Sequence, residues 1–170
     1  MSNSNLQPRD NEWLREKLAY IWYKYFSDID QPNEVVIKFG QKAATRLGSI
    51  KRGKKEFQQP DGSKHKRSII TITGHFKDPV IPEQVIEAVI GHELSHYAHG
   101  FSSPLFQRFA HPHKGGIVDK EMRTRGMGEI LAFQKKWLKN YWPEYIKENH
   151  SFKPKVRTKR SVLSWLMKGH

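Results

Sequence analysis

The sequence predicts an α+β fold: an N-terminal helix, a short mixed or antiparallel sheet, a histidine-bearing helix and a C-terminal helix. Three observations predict it. Apolar residues recur at helical spacing near both ends of the chain, a β-branched run preceded by a turn signal lies between them, and the hydrophobic period changes after Pro82. With 170 residues the chain is the size of one ordinary domain. The expected division is a domain over residues 10–148 and a basic tail over 149–170.

From Asn11 to about Ser27, Leu14, Leu18, Ile21, Trp22 and Tyr25 fall on one helical face, with Asp10 or Asn11 available as N-cap. Trp13, Trp22, Tyr23 and Phe26 suit a packed core better than a base-stacking surface at that spacing. Asp28 to Asn33 breaks the helix, and Val35 to Phe39 reads as a short strand. Gln41 to Leu47 is expected to form a short helix closed by Gly48. Ile50 to Phe57, the turn Pro60-Asp61-Gly62 and the run Arg67 to Gly74 suggest a hairpin with a basic loop end. After Pro82, Val85, Ile86, Val89 and Ile90 open a helix that continues into Gly91 to Gly100, GHELSHYAHG. Phe101 to Gly116, with Pro104, Pro112 and a glycine pair, reads as a loop. Val118 to about Tyr141 is helical again, weakest at Gly126 and Gly128. A short amphipathic helix is expected at Val162 to Met167.

The absence of cysteine excludes disulfides, thiol catalysis and cysteine-ligated zinc, so histidine and carboxylate must hold any transition metal. The N-terminus has no signal-peptide pattern, and no apolar run approaches the roughly 20 residues that span a bilayer. A soluble cytoplasmic protein without a membrane partner is therefore expected. The net charge of +13 is concentrated. Residues 38–67 hold ten Lys or Arg against Glu56 and Asp61, and residues 151–170 hold six and no acid. Such clusters fit non-specific DNA or RNA, although charge alone identifies no ligand and a solvated basic surface is the plain alternative.

In GHELSHYAHG, His92 and His96 are four residues apart, so on a helix both imidazoles share one face and can offer two nitrogens to one ion. Glu93, rotated about 100° from His92, can approach a water on the metal without ligating it. This is the HExxH arrangement, in which zinc acidifies water and the glutamate takes its proton. Random placement of nine His and eleven Glu yields about 0.03 such matches per chain. Five of the nine histidines (92, 96, 99, 111, 113) fall within 22 residues, and burying them without partners would carry a desolvation cost at each.

Two histidines leave a catalytic zinc site one protein ligand short. His99 is two turns from His92, and Glu121 or Glu129 on the next helix would offer a carboxylate. The preferred third ligand is His113, because Pro112 sets one side of a bend and Gly115-Gly116 free the backbone on the other. His111 points to the same side if that segment is extended, so it stays the nearest alternative, ahead of Glu121 and His99.

Across about residues 12–140 the chain resembles the SprT-like family of zinc metalloproteases. The resemblance rests on an aromatic first helix, Arg46-Leu47-Gly48, the strand Ile69 to Thr73, a helix ending in His92-Glu93-Leu94-Ser95-His96, and a later histidine before a helix. The chain departs from the family where His113 is followed by Lys114-Gly115-Gly116-Ile117 and where a cysteine-based ribbon is lacking. The resemblance implies a small zincin-like domain with Zn2+ on His92, His96 and a later histidine, Glu93 as general base, and a protein or peptide substrate. The strand Ile69 to Thr73 is then expected to take an extended peptide by strand addition. The rival reading is a basic nucleic-acid-binding domain whose zinc is structural or non-catalytic.

Overall fold

The computed structural model describes residues 9–150. The expected Val162 to Met167 helix lies outside the described residues. The fold is α+β, with five helices and a three-stranded mixed sheet.

Helix α1 (Asn11–Tyr25) starts where the Asp10 carboxylate accepts the Trp13 N–H at 2.9 Å, and it buries Leu14, Leu18 and Ile21. Phe26, just beyond its end, is also buried, and Trp13 and Trp22 pack against the core. Of the aromatic residues singled out in this stretch, only Tyr23 is strongly exposed, at 82%. Core packing therefore accounts for the other three.

Strands β1 (Val35–Phe39), β2 (Gly48–Gln58) and β3 (Lys64–Ile72) lie in the order β1-β3-β2. The β1/β3 pair is parallel, and β2/β3 is the expected antiparallel hairpin, with an irregularity between Arg52 and Glu56. Ser68, Ile70 and Ile72 face the core, while Arg67, Ile69 and Thr71 face outward. Because β3 is central, both of its edges are occupied, which rules out strand addition at Ile69 to Thr73. The outer edges belong to β1 and β2, and the one that meets Glu93 is that of β2.

The expected helix at 41–47 is absent. A seven-residue segment gains too little from its own hydrogen bonds to offset helix nucleation, and here its backbone groups are claimed by tertiary partners. Ala43 N–H donates to Thr73 Oγ1, the same hydroxyl donates to Ala43 O, and Gly74 N–H donates to Gln41 O.

Helix α2 (Glu83–Ala98) is the centre of the domain: 12 of its 16 residues are buried. It lies between the sheet and helices α1, α3 (Ile117–Thr124) and α4 (Gly128–Asn140). The weak point at Gly126 is a complete break, since its φ of +86° ends one helix and the next begins two residues later. A fifth helix, α5 (Trp142–Asn149), which periodicity did not distinguish, sends Trp142 Nε1 to Ala44 O at 2.9 Å. No described helix is long and apolar enough to cross a membrane.

Helix α2 ends in a Schellman turn, with Phe101 N–H on His96 O at 2.9 Å and Gly100 N–H on Tyr97 O at 3.0 Å. Gly100 has φ +85°, and a Cβ there would lie 2.5 Å from Gln107 Cα and from Phe106 O. Both the backbone conformation and backbone atoms that cannot swing aside therefore require glycine. Gly100→Ala is expected to destabilise the domain by about 2–4 kcal/mol, measured by denaturant unfolding. An unchanged midpoint would remove this account of the turn.

Candidate metal centre

The turn at Gly100 directs residues 101–103 back beneath the sheet. There Ser68 Oγ donates to Ser102 O at 2.6 Å, and Arg52 donates to Ser103 O at 2.7 Å. The buried Tyr97 hydroxyl, donating to Asn33 Oδ1 at 2.7 Å, joins the end of α2 to the same network, because Asn33 Nδ2 reaches Ser68 Oγ at 2.9 Å. These bonds tie the HExxH helix to the hairpin.

His92 and His96 present Nε2 atoms 3.1 Å apart. His113, at the start of the single 3-10 turn Lys114–Gly116, brings its ring to 4.6 Å from His96 and 5.9 Å from His92, centroid to centroid. One nitrogen from each of the three falls within 4.8 Å of the others, a group that can hold a metal ion. Burial pushes the pKa of His92 down to about 4 and that of His96 down to about 3, with neighbouring imidazoles adding to the effect. Both rings are therefore neutral at physiological pH, the state in which imidazole ligates. His96 Nδ1 is buried without a hydrogen-bond partner. Three imidazoles, with no fourth protein ligand in the group among the described residues, match the donor set of a zinc site that keeps an open position.

Glu93 is buried at 4% exposure. Its carboxylate lies against the start of β2, where a Cβ on Gly48 would sit 2.7 Å from Oε1. Burial raises its pKa to about 7, and a backbone hydrogen bond at Ile50 opposes the rise. Two adjoining hollows of about 500 and 340 Å³ are both lined by Arg46, Gly48, His92, Glu93 and His113. Sequence reasoning found the histidines and Glu93 but assigned no site role to Arg46 or to Gln134, which lines the larger hollow from α4. A glutamine on a helix carries no signal that sets it apart. The only trace of Arg46 and Gly48 was the Arg-Leu-Gly element.

The competing ligands lie elsewhere. His111 is exposed and outside the group. His99 Nε2 meets Glu121 Oε2 at 3.1 Å, and Glu121 is held from its other side by Arg125 at 2.8 Å. Arg125 also bonds Asp28 and Tyr25 O, which ties α3 to the end of α1. The family models, curated proteins and solved structures compared with this chain include no match to it.

The hydrogen bond from Arg125 is the main cause that lowers the pKa of Asp28. For Glu121, burial alone would raise the pKa, but hydrogen bonds from His99 and Arg125 outweigh it and the net shift is downward. A folded-state pKa below the unfolded value contributes stability above the unfolded pKa and loses it as pH falls through the folded one. The stability gap between the wild-type chain and Arg125→Gln, from urea unfolding, should therefore narrow below about pH 4. A gap constant down to pH 2 would show that the ion pairs contribute nothing.

Proposed function

We propose that the chain is a zinc-dependent metallopeptidase of the SprT-like, zincin-like type that hydrolyses peptide bonds in protein substrates. One observation carries this reading: a buried carboxylate, Glu93, borders the same open hollow as three imidazoles without joining their group. A purely structural metal site has no use for a base held there. His92, His96 and His113 would hold the ion. Bound zinc would supply Lewis acidity, polarising a carbonyl and lowering the pKa of water. Glu93 would take a proton from water and deliver it to the leaving amine. The Ile50 backbone and the absence of a side chain at Gly48 keep its carboxylate against the strand.

The outer edge of β2 supports an extended substrate on either side of Ile50, whose O accepts from Ser102 Oγ at 3.3 Å and whose backbone also bonds Glu93. Thr73 N–H bonds Leu47 O, so in this antiparallel register residues 47, 49 and 51 pair with β3. Gly48 and Arg52 then direct their backbone groups away from the sheet. Zinc analysis combined with hydrolysis of an unfolded protein tests the reading. A chelator should abolish cleavage and added zinc should restore it, whereas cleavage that survives complete zinc removal, or a zinc-loaded chain that cleaves nothing, would sink it.

A second reading, non-specific binding of DNA or RNA, is favoured by the outward face of the sheet. Arg67 covers the Phe57 ring at 3.9 Å there, next to partly exposed Ile69 and Thr71. Binding that weakens steeply with salt supports it, and no binding at low salt removes it.

A further inference from the structure

We propose that the hollow beside Arg52, Lys64 and Lys66 is a subsite for an acidic side chain of the substrate, about two to four residues from the cleaved bond. This rests on the peptidase reading and names the class of peptide that the site would prefer.

The hollow measures about 480 Å³. The register pairs Arg52 with Ser68, Glu56 with Lys66 and Gln58 with Lys64, which places these side chains on the face of the sheet that Ser68 and Ile70 turn toward α2. The opposite wall comes from the segment after α2, including Ser103 and Gln107. Arg52 is fixed to that wall by its bond to Ser103 O at 2.7 Å. The Lys64 and Lys66 side chains make no hydrogen bond or ion pair among the described residues. Three cations thus face one carboxylate, Glu56, so the hollow holds an excess positive charge that an entering anion would neutralise.

Its position relative to the metal centre suggests what the anion belongs to. Glu93 meets β2 at Gly48 and Ile50. On β2 the hollow runs from Arg52 to Glu56, and on β3 it is lined by Lys66, four residues from the Ile70 that pairs with Ile50, and by Lys64 beyond it, on the same face. At the rise of an extended strand, two to four residues beyond Ile50 corresponds to about 7–13 Å. A peptide lying along β2 with its reacting bond before Glu93 would bring an alternate side chain over the cations. Carboxylate and phosphorylated side chains share the required charge.

Mass-spectrometric mapping of the sites that the zinc-loaded full chain cleaves in a mixture of unfolded peptides tests this. Asp or Glu should be enriched at one position about two to four residues from the cleaved bond. In the charge reversal Lys64→Glu/Lys66→Glu, that enrichment should vanish or give way to Lys and Arg. A binding arm on the Glu93→Gln background needs no turnover: a preferred peptide should bind about three- to tenfold tighter than its Asp→Asn form, and this difference should disappear in the reversal. Phosphoserine at that position separates a phosphate preference from a carboxylate one. Cleavage without acidic enrichment, or enrichment unchanged by the reversal, overturns the subsite alone. So does a reversal that loses single-stranded DNA binding at low salt while keeping the peptide preference. No cleavage of any peptide overturns the peptidase reading and the subsite with it.

Discussion

Glu93→Gln is expected to keep its metal and lower peptide hydrolysis by about 100- to 10,000-fold, the range of a lost general base. Glutamine nearly matches glutamate in shape, so it should fit the buried place beside Gly48 and Val89 without moving β2. It cannot accept a proton at neutral pH. Because Glu93 is not among the three residues that could hold one ion, zinc stoichiometry should stay at the wild-type value. His92→Ala should instead lose metal and hydrolysis together. Metal analysis and initial rates on one unfolded substrate separate the two variants, and a Gln variant cleaving at the wild-type rate would end the base assignment.

His113→Ala is expected to lower zinc affinity by at least about 10- to 100-fold, with a smaller loss for His111→Ala. The two residues are neighbours in sequence but not in environment. Both are exposed, but the His113 ring stands 4.6 Å from that of His96 and lines both hollows of the metal centre, whereas His111 lines neither. Since His113 enters from a loop, its loss should leave α2 folded. Circular dichroism should then match the wild type while a chelator competition titration reports weaker binding. The reverse order of affinities would move the ligand to His111.

Much of the site was legible because its chemistry depends on local spacing. His92, Glu93 and His96 lie within one helical turn, so their relative placement follows from the α-helix itself. The hairpin was legible for the same kind of reason: its turn residues and β-branched run specify pairing between neighbouring strands. Gln41 to Leu47 was misread because the competing hydrogen bonds come from Thr73 and Gly74, about 30 residues later in the chain. Helix α5 was missed because the expected helix stops at about Tyr141, and Pro143 just beyond it marks a break in a pattern although a proline fits the first turn of a new helix.

By itself the sequence determined the fold class, the cysteine-free donor set, the paired histidines with their carboxylate, and a short list for a third ligand. Only the tertiary structure decided that His113 joins the group while His99 and Glu121 satisfy each other, and that β3 is central while the outer edge beside Glu93 is that of β2. The physical reason is range. Helical periodicity and turn chemistry act over a few residues, whereas strand order and the meeting of a loop histidine with a buried helix depend on contacts that form when distant segments pack.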